Sequence, residues 1–196
     1  MLAIGGGTLP EETFRYYIEQ DYQFLTRYVK VIALAVATSQ DLDVTTRMAE
    51  LLHSTLAVEM DALRDLYSQF GGDPQALSTV PRSPTCAAYT NHLLAVAEER
   101  DLLWTLASIL PCQWGYREIG RNLKQRGLPE DSRYAAWIEE YANEEYGVLV
   151  DWIIEQLNGL ATTAAPDDRA RASEVFQLSA EYERRFWEMA WNLERW

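Results

Sequence analysis

Phe14-Arg15-Tyr16-Tyr17-Ile18-Glu19-Gln20-Asp21-Tyr22-Gln23-Phe24-Leu25-Thr26-Arg27-Tyr28 is the stretch that decides the fold. Phe14, Tyr17, Ile18, Asp21, Phe24, Leu25 and Tyr28 recur at spacings of three and four, which places them on one face of an α-helix. All but one are apolar or aromatic. The exception, Asp21, stands where an aliphatic residue is expected. A carboxylate on a face meant for the core is costly unless it is paired or hydrogen-bonded, so it marks a structural hydrogen bond or a binding group.

Upstream, Thr8-Leu9-Pro10-Glu11 reads as the start of this helix, with a threonine cap, an early proline and a glutamate three residues after the cap. It should run to about Thr38. Residues 1–7, with Gly5-Gly6-Gly7, read as a flexible lead-in. A second helix is expected from Asp41 or Asp43 to Gln69, stopped by Gly71-Gly72, with Met48, Leu51, Leu52, Thr55, Val58, Glu59, Ala62, Leu63 and Leu66 on its apolar face. After a proline-bearing loop, Ser83-Pro84 caps a third helix to about Arg100, carrying Tyr89 and His92. Asp101 caps a fourth from Leu102 to Arg126. A fifth is expected from Ser132 to Leu157 and a sixth from Pro166 nearly to Trp196, with a loop over 158–165 between them. No stretch alternates with the period of a strand, so the class is all-α, a single-domain helical bundle over residues 1–196.

The sixth helix repeats the anomaly of the first. Its stripe of Phe176, Ser179, Ala180, Glu183, Phe186, Trp187 and Ala190 has Glu183 at its centre. Two long helices from opposite ends of the chain each turn one carboxylate toward the core.

Composition narrows the function. The net charge of −13 argues against nucleic acid, whose binding depends on lysine and arginine neutralising phosphates, and against anionic membrane surfaces. No apolar run approaches the roughly 20 residues of a membrane helix, and the N-terminus has no signal-peptide pattern, so a cytoplasmic protein is expected. The seven tryptophans and eleven tyrosines suit either a padded helical core or a pocket for a flat ligand.

Chemistry concentrates in Leu110-Pro111-Cys112-Gln113-Trp114-Gly115-Tyr116. Pro111 removes a backbone donor inside a helix, so a kink is expected, with Cys112 beside it and Tyr116 one turn on. The thiol is a nucleophile or a small apolar filler; spacing alone leaves both open. Cys86 reads as an inert core thiol. His53 and His92 are the only histidines, and only His53 has a carboxylate, Glu50, at metal-motif spacing, so no metal is expected. Neither a nucleophile-elbow serine nor a phosphate-binding glycine loop is present.

Five stretches resemble, in order, the motifs of the TenA family of thiaminase II enzymes. They are Phe14 to Tyr22; Ser83-Pro84-Thr85 with Tyr89-Thr90-Asn91-His92; Leu110 to Tyr116; Tyr134-Ala135-Ala136-Trp137-Ile138-Glu139-Glu140-Tyr141; and Glu183-Arg184-Arg185-Phe186-Trp187 with Met189-Ala190. The resemblance implies a haem-oxygenase-like bundle without haem, assembled as a homotetramer. It implies hydrolysis of thiamin, or of its aminomethyl pyrimidine breakdown product, to hydroxymethyl pyrimidine for thiamin salvage, without a cofactor. By position, Cys112 would be the nucleophile and Glu183 the acid at a ring nitrogen. Asp21 would hold the exocyclic amine, Tyr89 and Tyr116 would line the site, Tyr141 would bond near the thiol, and Phe186 would pack on the ring. Two departures stand out. Phe24 replaces a tyrosine often found in the family, and the helix that usually precedes the Gly-Thr-Leu-Pro turn is expected to be absent. They motivate an alternative, a pyrimidine- or thiamin-binding protein with little turnover.

Overall fold

The computed structural model describes all residues from Met1 to Trp196 and contains only helices and connecting turns. Its contacts gather into two compact units: residues 1–10 with 106–183, and residues 11–105 with 184–196.

The second unit is built on α2, Glu11–Thr38, against which pack α3 (Leu42–Ser54), α4 (Met60–Gln69) and α5 (Pro84–Glu98). Every residue of the predicted α2 stripe is buried, Asp21 included. Asp41 caps α3 by accepting from the amides of Asp43 and Val44, and Ser83 caps α5 by accepting from Cys86, as those residue types do at helix starts. Thr8, expected to cap α2, instead donates to the Ala3 carbonyl.

The expected helix from Asp41 to Gln69 is interrupted by a π-helical segment, Thr55–Glu59. A π turn takes in an extra residue and so rotates everything after it relative to an α-helical count. The buried positions step from Thr55 to Met60 and then to Leu63, Leu66 and Tyr67. Val58, placed on the core face by α-periodicity, is therefore 56% exposed, and Ala62 is exposed as well. Val58 and Ala62 are turned outward by that single insertion, while Leu63 and Leu66 of the same expected face stay buried.

Two buried glutamines on α2 explain how the irregular segment between α4 and α5 is held. Gln23 donates to the Leu77 carbonyl at 2.7 Å, while Gln20 donates to the Pro81 carbonyl at 3.1 Å and accepts from the Ser83 amide at 2.8 Å. Backbone groups that lack helical partners must find others when water is excluded, and these side chains supply them.

The first unit is reached by the helices that cross into it, α6 (Leu102–Arg126) and α9 (Pro166–Asn192), and is completed by α1 (Leu2–Gly5), α7 (Ser132–Ala142) and α8 (Glu144–Thr163). Helix α6 is continuous through Pro111. The lead-in expected over residues 1–7 is a turn of helix instead. Ile4 is 1% exposed, Gly5 lies so close to α6 that an added Cβ would meet Leu123 at 2.8 Å, and the Tyr134 hydroxyl donates to the Leu9 carbonyl. The expected helix from Ser132 to Leu157 is two helices, broken at Asn143. That residue is extended (φ −73°, ψ 161°), and its side chain accepts from the Tyr146 amide at 2.7 Å to start α8. The loop expected over 158–165 is mostly helical, since α8 continues to Thr163.

Replacing Gln20 by leucine removes a donor from the Pro81 carbonyl and an acceptor from the buried Ser83 amide. We expect a loss of about 2 kcal/mol, seen as a fall in Tm of roughly 4–8 °C in thermal denaturation. An unchanged Tm would show that water reaches Pro81 and Ser83.

Candidate functional site

In the second unit, α2 presents Asp21 to a cluster of rings. Asp21 is the only carboxylate in the chain that is fully buried, and it accepts a hydrogen bond from the Tyr17 hydroxyl at 3.1 Å, one turn back on the same helix. Tyr17 stacks on Trp187 at 4.9 Å between centroids and meets Phe186 edge-on at 6.4 Å. Phe24 lies 5.1 Å from Tyr89 and 5.8 Å from Phe186. Four of the predicted site residues, Asp21, Phe24, Tyr89 and Phe186, are thus brought together, with Tyr17 as the link between acid and rings. Tyr17 and Trp187 were expected only as stripe residues. The signal for Tyr17 was its place four residues before Asp21, a spacing at which helical side chains meet.

The first unit holds the other four. Cys112 and Tyr116 are one turn apart on α6; Cys112 is half-buried and Tyr116 buried. Tyr116 and Tyr141 meet edge-on at 4.7 Å, Trp137 stands 4.9 Å from Tyr141, and Tyr146 is 5.4 Å from Tyr141 on its other side. Glu183 is half-buried on α9, less enclosed than its position at the centre of an apolar stripe implies. Ala180 on that stripe is exposed, while Val175, Ser179 and Met189 are buried.

The two cysteines have different surroundings. Cys86 is fully buried, with its thiol against the Gln20 carbonyl at 3.6 Å. Burial pushes the Cys86 thiol up to about 12; Arg82 opposes the shift and the charge of Asp21 adds to it. A thiol so held stays neutral and unreactive at physiological pH, which is the core role expected of it. No group of three or more His, Cys, Asp or Glu side chains comes together in a way that could hold a metal ion.

The whole of this arrangement lies in a stretch with known relatives. Residues 1–193 match the TENA/THI-4/PQQC family. The chain belongs to that family. It is 36% identical over 196 residues to an aminopyrimidine aminohydrolase of Halalkalibacterium halodurans, covering 98% of this chain and 87% of the relative. An aminopyrimidine aminohydrolase of Bacillus subtilis is 33% identical, with 98% of this chain and 81% of the relative covered. Among solved structures, a TenA family transcription regulator from Silicibacter sp. superposes with a TM-score of 0.88 at 28% identity, over 96% of this chain and 86% of that one. A domain with a heme oxygenase-like fold from Shewanella denitrificans superposes at 0.76 with 12% identity, over 97% and 82% of the two chains, a likeness of fold alone. The family and the all-α, haem-oxygenase-like fold therefore stand as the sequence implied.

Burial predicts how the two thiols behave. With the native protein at pH 8, a maleimide or disulfide reagent should label one cysteine, located at position 112 by peptide mapping. Cys86 should react only on unfolding. Because the Cys86 proton is held more tightly in the folded chain, the unfolded chain loses it first as pH rises from the ordinary thiol value of 9.0 toward about 12. Stability should fall over that window relative to Cys86→Ala, measured by urea unfolding; parallel pH profiles would refute the assignment.

Proposed function

We propose that this chain hydrolyses an aminopyrimidine, either thiamin or its aminomethyl pyrimidine breakdown product, and releases hydroxymethyl pyrimidine for thiamin salvage. The observation that carries the reading is the family match over residues 1–193 together with relatives named aminopyrimidine aminohydrolase at 33–36% identity. The buried Asp21 among aromatic rings supports it. A flat, polar-edged ring needs apolar walls and a few fixed polar groups, and α2 provides both.

The residues take the following roles. Glu183 gives a proton to a ring nitrogen of the pyrimidine, drawing electrons from the ring carbons. The Cys112 sulfur bonds to a ring carbon made electrophilic in this way. The electron pair displaced into the ring then expels the group on the side-chain methylene, breaking its bond to carbon and leaving an exocyclic double bond. An amino group leaves as ammonia by taking the proton that the Cys112 thiol released, and the added water later restores that proton. Water adds to that methylene. The carbon–sulfur bond then breaks, which restores the aromatic ring, the thiol and the Glu183 proton. Asp21 holds the exocyclic amine in register throughout, and Tyr89, Tyr116, Tyr141, Phe24 and Phe186 shape the walls. Phe24 offers no hydroxyl, so this wall holds its substrate by contact alone. The products are hydroxymethyl pyrimidine and the thiazole or ammonia that left.

The 196 residues would act as one domain, in a homo-oligomer of the tetrameric kind implied by the family resemblance, within the cytoplasm. No helix is long and apolar enough to cross a membrane.

Product release measured by chromatography tests the proposal. Wild-type protein should form hydroxymethyl pyrimidine from at least one of the two substrates. Cys112→Ser and Glu183→Gln should each lower kcat by about 10²-fold or more, and Asp21→Asn should chiefly raise KM. Binding of pyrimidine by calorimetry with no product from either substrate would sink the hydrolase and leave a binding protein. Full activity in Cys112→Ser would leave a hydrolase without the covalent step.

A further inference from the structure

We propose that Tyr146 is a positioning residue for Cys112, holding the turn of α6 that carries the thiol from outside that helix. The proposal rests on Cys112 being the nucleophile.

Three observations in the first unit carry it. The Tyr146 hydroxyl donates to the backbone carbonyl of Gln113 at 3.1 Å. That carbonyl belongs to the residue immediately after Cys112, and two residues before it Pro111 has removed the N–H that would bond the Ala107 carbonyl. A helix that lacks a donor is locally easier to tilt, and a second hydrogen bond to a nearby carbonyl sets how far it tilts. Tyr146 therefore holds α6 one residue past Cys112, just beyond the point where its ladder loses a bond.

Tyr146 is itself held from two directions. Its amide is fixed by the Asn143 side chain at 2.7 Å, so its Cα is placed by the cap that begins α8. Its ring is fixed by Tyr141, which in turn meets Tyr116, one turn past Cys112 on α6. The path from Tyr146 thus returns to α6 at two points in the turn that begins at Cys112, through a hydrogen bond at Gln113 and through rings at Tyr116.

The junction of α7 and α8 is pressed onto α6 further along the same side. A Cβ on Gly120 would come within 2.7 Å of the Tyr141 carbonyl carbon and 2.9 Å of the Ala142 amide nitrogen, a backbone approach that only glycine permits. Buried Arg117 bonds Asp151 of α8 at 2.5 Å. Positions 113, 117, 120 and 121 follow one face of α6, and Gly147 of α8 lies against the Arg121 guanidinium. Tyr146 is the end of this seam nearest Cys112. It acts through one hydroxyl oxygen, which phenylalanine lacks, so the contact can be removed with little change in packing volume.

Tyr146→Phe deletes that oxygen alone. Its control is Tyr134→Phe, which removes a similar tyrosine-to-carbonyl bond in the same unit, to Leu9. Two readouts are taken on wild type and both variants. One is the rate of Cys112 alkylation by iodoacetamide against pH, without substrate. The other is kcat and KM for hydroxymethyl pyrimidine release. Tyr146→Phe should shift the alkylation profile and lower kcat by about 10- to 100-fold at nearly constant KM and Tm, the pattern of a displaced reacting atom. Tyr134→Phe should lower Tm and leave both readouts at wild-type values. An alkylation profile in Tyr146→Phe identical to wild type would overturn the proposal, as would changes in proportion to Tm in both variants. Should wild type release no product, the hydrolase reading fails, and the alkylation profile still decides the role of Tyr146.

Discussion

A buried carboxylate has to be met by hydrogen bonds where it stands, and much of the second unit is arranged around meeting one. Asp21 interrupts a helix face of aromatic and aliphatic side chains, so the neighbouring turn supplies the Tyr17 hydroxyl. Tyr17 can serve only if its ring is held, and Trp187 and Phe186 hold it. The same helix sends Gln20 and Gln23 the other way, to close the backbone of the segment before α5. One helix thereby carries an acid toward a ring cluster and amides toward a loop. Asp21, Gln20 and Gln23 are each buried with a defined partner.

The all-α class and most helix starts were legible because they depend on local chemistry. Asp41 and Ser83 accept from amides in the turn they open, and periodicity placed the α2 stripe without error. Some misses occurred where distant contact overrode local pattern, and others where one local signal outweighed another. The break at Asn143 had a local signal, an asparagine followed by Glu144 and Glu145 at a helix start, but the apolar pattern ran on across it. Residues 1–7 looked too glycine-rich for structure; Ile4 and Gly5 acquire it from Leu123 and the α7 region, over a hundred residues away.

The candidate site was legible unevenly for the same reason. Inward carboxylates and a proline beside a cysteine are anomalies that one sequence displays, so Asp21, Glu183 and Cys112 stood out. Their supports did not. Tyr146 looks like any half-buried tyrosine until the carbonyl it reaches is known, and Gly120 looks like a helix defect until the Tyr141 backbone is seen against it. Glu183 shows the limit of a periodic argument, being less enclosed than the stripe around it suggests.

The π segment at Thr55–Glu59 has an implication for how this chain tolerates change in length. One extra residue is absorbed there, and the helix beyond still delivers Met60, Leu63 and Leu66 inward. Length and phase are thus uncoupled at that point. A one-residue deletion among the outward-facing Leu56, Ala57 and Val58 would turn the segment into ordinary α-helix with its downstream side chains in register, whereas the same deletion in α2 between Phe14 and Asp21 would put Asp21 and the rings beyond it out of phase with those before it.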